Sequence, residues 1–248
     1  MITTLSLVSV FIVSFLSLLG AIFITFQRET VNRIITYSLA LSSGVLLGST
    51  FFELLPEGVS HNPDGVFFWA LIGFVSFFCI EKLIHWHHHV EGRHEHDEKP
   101  MAYLTLIGDS IHNFADGAVI AASYMVSIPL GITTTIAIIA HEIPHELSDF
   151  LILIHGGFSN KRALQFNFLS ATTAIAGTLM VLMISREFTQ FDRILVPFAA
   201  GNFLYIAASD LIPELLSHRH GKTSVIQIVF LLCGIILIPL IAHFVGGA

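Results

Sequence analysis

Eight apolar stretches occupy most of this chain, and each is long enough for a helix to cross a lipid bilayer. A transmembrane helix needs about 20 mostly apolar residues, because in lipid only its own backbone hydrogen bonds are available. The 248 residues are 54% hydrophobic and 12% charged, with a mean hydropathy of +0.79. We therefore predict an all-α polytopic membrane protein with a single transmembrane domain over residues 1–248. The predicted spans are 5–26, 34–55, 66–84, 101–126, 130–154, 163–184, 194–216 and 225–244.

Basic residues flank these spans unevenly, which predicts the orientation of the chain. Nine of the eleven lysines and arginines fall on one side: Arg28, Arg33, Lys82, Arg93, Lys99, Lys161, Arg162, Arg219 and Lys222. Only Arg186 and Arg193 fall on the other side. Because cytoplasmic loops are enriched in lysine and arginine, we predict that both termini are extracytoplasmic. The formal charge of −7 gives no reason to expect a nucleic-acid partner, since much of the acid lies within apolar segments.

Spans 2 and 7 carry similar sequences, which indicates an internal repeat. Residues 53–61 are ELLPEGVSH and residues 210–218 are DLIPELLSH, an offset of 157 that Gly44 and Gly201 also fit. The copies are five spans apart, so they cross the membrane in opposite directions, as the inverted repeats of secondary transporters do. We predict a 3+2+3 inverted-repeat arrangement in which spans 4 and 5 form the central pair.

Span 5 places ionisable side chains in the middle of an apolar stretch. The sequence HEIPHELSDF begins at His141, and on a helix His141, His145 and Asp149 share one face. Glu142 and Glu146 run alongside, next to Asp149. Ionisable groups are costly in hydrocarbon and persist mainly where they face a cavity, an ion or one another. Such a cluster predicts an ion site inside the membrane.

Pro144 lies within this segment and cannot donate a backbone hydrogen bond. It leaves the carbonyl of Ala140 without its helical donor, and we expect a local break in the helix, which suits a membrane ion site.

Span 4 carries a partner motif, HNFADG, that begins at His112. His112 and Asp116 share one helix face, with Asn113 beside them and Asp109 about one turn earlier. His112 and His141 each lie 11 residues into their predicted spans (101 to 112 and 130 to 141). Antiparallel helices therefore bring both clusters to the middle of the membrane. Imidazoles and carboxylates in this arrangement predict a site for a divalent transition metal.

The number of candidate ligands is sufficient for two neighbouring ions. We interpret the imidazoles and carboxylates as ligands of one ion, and Asn113 with Glu142 and a shared group as ligands of the other.

More acidic and histidine residues lie at the predicted span ends, and they suggest a route for ions. Glu53, Glu57 and His61 are at the outer end of span 2, and Asp210, Glu214, His218 and His220 are at the inner end of span 7. The inner loop 85–100 contains His85, His87, His88, His89, His94 and His96. Neutral histidine binds metal, so this loop is predicted to buffer or sense imported ions. The alternatives are solvated span ends and a disordered linker with incidental metal affinity.

These motifs, with FNFLSA at 166–171 and FLYIAASD at 203–210, resemble the ZIP (Zrt/Irt-like) divalent-metal transporters. The span 5 motif is similar to HEXPHELGDF of the LIV-1 subgroup. The resemblance implies a homodimeric, eight-helix importer with Zn²⁺ as the transported substrate and a binuclear centre in spans 4 and 5. The ligand positions of the family fall on His112, Asn113, Asp116, His141, Glu142 and His145.

The sequence departs from the subgroup in two ways. Ser148 replaces a glycine, which predicts altered packing of a neighbouring helix. The long extracellular N-terminal domain of animal members has no counterpart here, so we expect a minimal bacterial form in the inner (plasma) membrane. In the subgroup, glutamate at the position of His141 accompanies manganese and iron transport. His141 therefore favours Zn²⁺, with Fe²⁺, Cd²⁺, Co²⁺ and Mn²⁺ as further candidates.

The main alternative is an intramembrane zinc metalloprotease, since residues 141–145 match HExxH and residues 62–65, NPDG, resemble the aspartate motif of site-2 proteases. The expected break at Pro144, the unexplained span 4 cluster and the predicted outer location of 62–65 argue against it. An ATP-driven pump is a third possibility, because residues 221–223 resemble the end of a P-loop. Leu216, however, occupies the position of its first glycine. We therefore expect a protein that is not an enzyme.

Overall fold

The structure, a computed structural model, describes residues 1–20, 28–90, 98–185, 192–217 and 221–246. All regular elements in these ranges are helical: α1 (Ile2–Leu16), α2 (Arg28–Ser49), α3 (Leu55–His61), α4 (Val66–Val90), α5 (Glu98–Val126), α6 (Ile128–His155), α7 (Asn160–Ala171), α8 (Thr173–Ile184), α9 (Asp192–Tyr205), α10 (Ile212–Ser217) and α11 (Gly221–Gly246). Two of these helices have a serine N-cap. Ser127 accepts a hydrogen bond from the Leu130 N–H at the start of α6, and Ser159 accepts one from the Arg162 N–H at the start of α7.

Six helical segments within the described ranges are long and apolar enough to cross a membrane: Ile2–Leu19, Glu29–His61, Val66–Leu83, Asn160–Ile184, Arg193–Ser217 and Ser224–Gly246. They coincide with predicted spans 1, 2, 3, 6, 7 and 8, although residues 21–26 of span 1 lie outside the described part. Helices α5 and α6, of 29 and 28 residues, occupy the positions of spans 4 and 5, with polar side chains that lower their hydropathy. The all-α polytopic fold is confirmed, while the count of eight spans and the orientation stay predictions.

The predicted repeat extends to irregular turns. A π-helical turn at Thr50–Leu54 joins α2 to α3, and another at Ile206–Leu211 joins α9 to α10. Adding the offset of 157 to positions 50 and 54 gives 207 and 211, so the two turns are equivalent in the repeat. Each π turn contains the first acid of the repeated acid–Pro–Glu stretch, Glu53 in one and Asp210 in the other.

Repeat-related glycines bring pairs of helices into backbone contact. A Cβ atom at Gly44 of α2 would lie 2.0 Å from the Leu231 carbonyl oxygen of α11. A Cβ atom at Gly201 of α9 would lie 1.8 Å from the Ala70 carbonyl oxygen of α4. Small residues allow such close approach between membrane helices. The pairs α2–α11 and α4–α9 are therefore equivalent contacts, and each joins helices from different repeats.

The first helices of the two repeats meet at equivalent residues. The Ser14 hydroxyl, just before the 3₁₀ turn Ser17–Leu19, donates to the Ala171 carbonyl oxygen at 3.0 Å, and these residues are 157 positions apart. A contact between equivalent residues lies on the axis that relates the repeats, which fits inverted repeats.

Helices α5 and α6 pack together in the middle of the fold and against both sets of neighbours. Gly117 of α5 would place a Cβ atom 1.8 Å from the Ala174 carbonyl oxygen of α8, and Gly177 of α8 would place one 1.9 Å from the Phe114 carbonyl oxygen. On its other side α6 packs against α2. The two helices with the predicted metal ligands are therefore held tightly on several sides.

The predicted helix break at Pro144 is wrong. Helix α6 runs through Pro144 from Ile128 to His155. The Ala140 carbonyl oxygen, which lacks its helical donor, accepts a hydrogen bond from the Ser42 hydroxyl of α2 at 2.5 Å. Because a side chain of a neighbouring helix replaces the missing N–H, the helix needs no opening at this position.

Candidate metal centre

Four of the predicted ligands converge between α5 and α6. His112 and Asp116 project from α5, and His141 and Glu142 from α6, with one ligand atom of each within 4.8 Å of the others. We call this group the four-residue centre. Its shortest separations are 3.0 Å from His141 Nε2 to Asp116 Oδ2, 3.1 Å from His112 Nε2 to Glu142 Oε1, and 3.2 Å between the two Nε2 atoms. Two imidazole nitrogens and two carboxylate oxygens thus face a common point.

These separations match the edges of a tetrahedron around one ion. Zinc is bound at about 2.0–2.2 Å by nitrogen and oxygen, which places tetrahedral ligands about 3.3–3.6 Å apart. Two further separations are 3.4 Å for His141 to Glu142 and 3.8 Å for His112 to Asp116. These five of the six edges lie on both sides of the ideal length, so the arrangement is compatible with one tetrahedral ion.

A backbone hydrogen bond assigns the tautomer of His141. Its Nδ1 lies 3.1 Å from the Ala137 carbonyl oxygen, which can only accept. Nδ1 therefore carries the hydrogen of a neutral ring, and Nε2 presents a lone pair to Asp116 and Glu142. This is the form in which a histidine binds metal, oriented by the hydrogen bond of its other nitrogen.

The carboxylates of the centre are buried with few partners. Asp116 and Glu142 are both 0% exposed. Both oxygens of Asp116 and the Oε2 of Glu142 make no hydrogen bond within the described part of the chain. Buried charged groups of this kind are costly unless they are paired or bind metal, so the two histidines or a bound cation would have to compensate these carboxylates.

A second group lies next to the first and consists of Asp109, His145 and Asp149. We call it the cavity-side cluster. His145 Nδ1 is 3.3 Å from Asp149 Oδ2 and 3.9 Å from Asp109 Oδ1. The His145 ring stacks on that of His112, with ring centroids 4.8 Å apart. The two groups are therefore in direct contact through their histidines.

A partly open cavity of about 260 Å³ reaches these residues. Its walls include the cavity-side cluster and His112, whereas Asp116, His141 and Glu142 lie behind them. Further along the wall the Tyr205 hydroxyl donates to Glu81, and Asp210 lies nearby. The four-residue centre is thus connected to one end of the helices through His112 and the cavity-side cluster.

Two predicted ligands lie outside the four-residue centre. His145 belongs to the cavity-side cluster. Asn113 donates from Nδ2 to Asp109 Oδ1 at 2.8 Å, and its buried Oδ1 has no hydrogen bond among the described residues. The roles of both as ligands stay predictions, as does the second ion between Asn113 and Glu142.

The predicted entrance residues lie apart from the centre, whereas Asp210 of the predicted exit lines the same cavity as His112. Glu53 Oε2 accepts a hydrogen bond from the Thr133 hydroxyl at 2.9 Å. Glu57 and His61 pair on the surface, with Oε1 and Nδ1 3.3 Å apart. Glu214 is exposed. The predictions for His94, His96, His218 and His220, and for the side chains of His85, His87, His88 and His89, fall outside the described residues.

Sequence reasoning gave no role to the polar residues of α7. Asn167 donates from Nδ2 to Glu146 Oε2 at 2.5 Å, and the Ser170 hydroxyl donates to Asp109 Oδ2. They occupy positions i and i+3 of an apolar helix, a spacing that places both on one face. This spacing was the sequence signal that could have identified the pair. Through these two hydrogen bonds α7 orients acids of α5 and α6.

Ser148, which replaces the glycine of the subgroup, is bound within its own helix. Its hydroxyl donates to the Pro144 carbonyl oxygen at 2.8 Å. The altered packing of a neighbouring helix stays a prediction.

The grouping of the histidines bears on the protease alternative. An HExxH motif holds one zinc ion with both of its histidines. Here His141 belongs to the four-residue centre and His145 to the cavity-side cluster. Glu142, the base in such a protease, is a member of the centre itself. The geometry therefore differs from that of an HExxH hydrolase.

Comparison with known proteins finds a matching family model and several similar transporters. The chain matches the family model described as ZIP zinc transporter over residues 1–100 and 87–242. It is 32% identical over 223 residues to the zinc transporter ZIP13 of Pongo abelii, covering 84% of this chain and 66% of that protein. It is 30% identical over 297 residues to the zinc transporter SLC39A7 of Mus musculus, covering 83% and 62%. It is also 30% identical over 277 residues to the metal cation symporter ZIP14 of Xenopus tropicalis, covering 82% and 60%.

The chain thus spans less than two thirds of the length of these curated relatives. The family match nevertheless covers nearly all of it, including every residue of the four-residue centre. With its apolar helices and the LIV-1-type motif of α6, the chain is a multi-pass membrane protein that belongs to the ZIP zinc transporter family.

Proposed function

We propose that this protein imports Zn²⁺ into the cytosol by exchanging its ligands at the four-residue centre. The observation that carries the proposal is the centre itself. Two imidazoles and two carboxylates lie midway along two long helices at tetrahedral separations, with buried oxygens that lack hydrogen bonds. A partly open cavity reaches this group through His112. A buried polar site with access from one side is what alternating access to a transported ion requires.

The proposed direction, import into the cytosol, is supported by the predicted orientation of the cavity. It opens at the end of the fold formed by the start of α5 and the later parts of α4 and α6. This end of the fold also carries Lys82 of α4, and Lys161 and Arg162 follow α6 in the sequence. The positive-inside rule therefore predicts that it is the cytoplasmic end. In this orientation both termini are extracytoplasmic, and the conformation described releases ions to the cytosol.

The donor set favours zinc over other divalent ions. Two imidazole nitrogens and two carboxylate oxygens are ligands of borderline softness, and tetrahedral four-coordination is typical of Zn²⁺. Co²⁺, Fe²⁺ and Cd²⁺ accept similar ligands, whereas Mn²⁺ prefers oxygen ligands and an octahedral shell. We expect transport to follow this order, with His145 and Asn113 as further contacts of the ion.

The setting proposed for this activity is a bacterial inner membrane. The chain would span it eight times, as a homodimer and without enzymatic activity. Exposed apolar side chains such as Phe67 and Leu71 on α4 provide a surface for lipid.

Zinc uptake into proteoliposomes that contain a zinc-sensitive dye tests the proposal. His141→Ala and Asp116→Asn should each abolish influx, because each removes a ligand from the centre. Glu57→Gln, which removes a charge at the exposed end of α3, is the matched control and should retain most of it. Influx at the wild-type rate in His141→Ala would refute the proposal. Tightly held zinc without influx would favour the protease, which peptide cleavage with Glu142→Gln as the control would then test.

A further inference from the structure

We propose that Thr105 and Asp210 close the cavity in the opposite conformation of the transport cycle, with the Thr105 hydroxyl donating a hydrogen bond to the Asp210 carboxylate. Both residues line the cavity in the conformation described, Thr105 from α5 and Asp210 from the π turn that follows α9. This inference rests on the proposed function, because it describes the other half of the same cycle. It makes Thr105 a positioning residue, which acts through Asp210 and not on the ion.

The side of the four-residue centre away from the cavity already has a contact of this kind. Glu53, in the π turn that follows α2, accepts a hydrogen bond from the Thr133 hydroxyl of α6 at 2.9 Å, the shortest of three contacts that this hydroxyl makes to acceptors. Thr133 is 0% exposed and precedes His141 by eight residues, which places it about 12 Å from that ligand along α6. Leu46 of α2 and Ile138 of α6 belong to one buried apolar cluster. On this side the two helices are closed against each other.

A second offset relates the two central helices, as 157 relates the repeats. His112 and His141 are 29 positions apart, and so are Thr105 and Thr134. The structure supports this offset, because the Nε2 atoms of His112 and His141 lie 3.2 Å apart. Equivalent residues that touch lie on the axis that relates the repeats, as in the first helices of the two repeats. Helix α5 is therefore the repeat equivalent of α6.

These two offsets identify the equivalent of the closed contact. Glu53 corresponds to Asp210 (53 + 157), and Thr133 corresponds to Leu104 (133 − 29), which Thr105 follows directly. Leu104, Thr105 and Asp210 all line the cavity. The interface of α6 with α2 is therefore packed, whereas the equivalent interface of α5 with α9 borders a cavity. In an inverted-repeat transporter this asymmetry is reversed in the other conformation, so α5 and α9 close when α6 and α2 separate.

The side chains at this interface identify Thr105 as the donor. Closing the cavity removes Asp210 from water, and a carboxylate that loses water needs a hydrogen-bond donor. Leu104, at the equivalent position, has no polar hydrogen. Of its two neighbours with a hydroxyl, Tyr103 directs its ring to Phe158, whereas Thr105 lines the cavity. Thr105 is thus the residue of α5 that can do for Asp210 what Thr133 of α6 does for Glu53.

The repeated acid of the two π turns then has two roles in one cycle. On the open side it faces water and passing ions, and on the closed side it accepts a hydrogen bond from a threonine of the neighbouring central helix. Glu53 has the closed role in the conformation described, and Asp210 has the open one. Because alternating access opens one side at a time, the two hydrogen bonds alternate.

Cross-linking of a Thr105→Cys/Asp210→Cys variant tests whether the two residues meet. The full-length chain is used in proteoliposomes, with Cys79→Ser and Cys233→Ser at two exposed positions, and a chelator removes zinc before cross-linking. A one-carbon bis-methanethiosulfonate reagent should join the two introduced cysteines within one chain. The cross-linked protein should lose zinc uptake, and a reducing agent should restore it.

Thr105→Cys/Phe77→Cys in the same background is the matched control. Phe77 lines the same cavity, but its ring contacts that of His112, which is seven residues, or about 10.5 Å along α5, from Thr105. This pair should not be joined by the reagent.

Zinc uptake by single variants of Thr105 tests the hydrogen bond itself. Thr105→Val keeps the shape of the side chain and removes the hydroxyl, so it should lower the maximal rate by up to about fivefold, the effect of one average hydrogen bond on a conformational equilibrium. Thr105→Ser keeps the hydroxyl and should retain most of the rate. In an Asp210→Ala background, Thr105→Val should have no further effect, because the acceptor is absent.

The outcomes separate this inference from the proposed function. Absence of the cross-link between positions 105 and 210, equal cross-linking of the control pair, or undiminished uptake by the cross-linked protein would refute the inference. A wild-type rate in Thr105→Val, or an equal loss in the Asp210→Ala background, would refute the hydrogen bond. Failure of the wild type to take up zinc would instead refute the proposed function, while the cross-linking, which requires no zinc, would still report whether α5 and α9 approach.

Discussion

The hydrogen bond from Ser42 to Ala140 allows a test of how α6 passes through Pro144 without a break. Pro144 provides no N–H for the Ala140 carbonyl, and the Ser42 hydroxyl lies 2.5 Å from that oxygen. Ser42→Ala should therefore destabilise the protein by leaving a carbonyl without a donor. In Pro144→Ala, the restored backbone N–H can bond to Ala140, and the loss of the hydroxyl should matter little.

The size of the effect follows from two competing estimates. A buried acceptor without a partner costs about 1–3 kcal/mol, but side-chain hydrogen bonds between membrane helices average only about 0.6 kcal/mol and reach about 1.7. The Ser42 hydroxyl also lies 2.6 Å from the Ser38 carbonyl oxygen, so its single hydrogen is shared between two acceptors. We therefore expect a cost of about 1 kcal/mol with Pro144 present, near the usual net value of a hydrogen bond, and little cost in the Pro144→Ala background.

Reversible unfolding in mixed micelles of sodium dodecyl sulfate and a mild detergent measures this double-mutant cycle. Ser43→Ala is the matched control. Ser43 is equally buried, but its hydroxyl donates to the Leu39 carbonyl oxygen within α2 at 2.7 Å. It should show no coupling to Pro144. A coupling energy of zero for Ser42, or an equal one for Ser43, would contradict the explanation.

Two further predictions concern packing and ion capture. In Gly117→Ala the new Cβ would lie 1.8 Å from the Ala174 oxygen, so the helices must separate by at least 1.2 Å (3.0 − 1.8). The overpacking cost of about 1–3 kcal/mol exceeds the helix-propensity gain of about 1 kcal/mol, so the thermal midpoint should fall. Gly246→Ala should not lower it, because its Cβ would meet no atom of the described residues within 4 Å. Glu53→Gln should raise the zinc concentration for half-maximal uptake at a similar maximal rate; a lower maximal rate alone would exclude a role in capture.

Local features of the sequence were sufficient to predict the helices and the face of each helix on which the candidate ligands lie. Apolar length located the spans, and the i, i+4 spacing placed His112 and Asp116 on one face of α5, where the structure has them. Both are properties of a single helix, so they do not depend on what packs against it. The paired π turns were not predicted, since they arise within helices whose sequence periodicity continues.

The distribution of ligands between the two groups could not be derived from spacing. On a helix, His145 lies about 40° from His141 and Glu142 about 100° away, so angle alone pairs the two histidines. Depth has the opposite effect, because Glu142 is about 1.5 Å from His141 along the axis and His145 about 6 Å. The structure groups His141 with Glu142, although α5 contributes His112 and Asp116 from positions that are themselves four residues apart. The relative rotation and height of two helices are tertiary properties.

The contacts around α6 also indicate which interactions a change of access must break. The ion-binding helix α5 contacts α8 through reciprocal glycines at backbone distance, and α2 contacts α11 in the same way. Helix α6 is joined to α2 and its π turn by apolar packing and by two side-chain hydrogen bonds, from Ser42 to Ala140 and from Thr133 to Glu53. The two hydrogen bonds amount to about 2 kcal/mol, and the apolar packing adds to this. We infer that the glycine contacts persist when access changes, so that α5 moves with α8 and α2 moves with α11. The 3+2+3 arrangement stays a prediction.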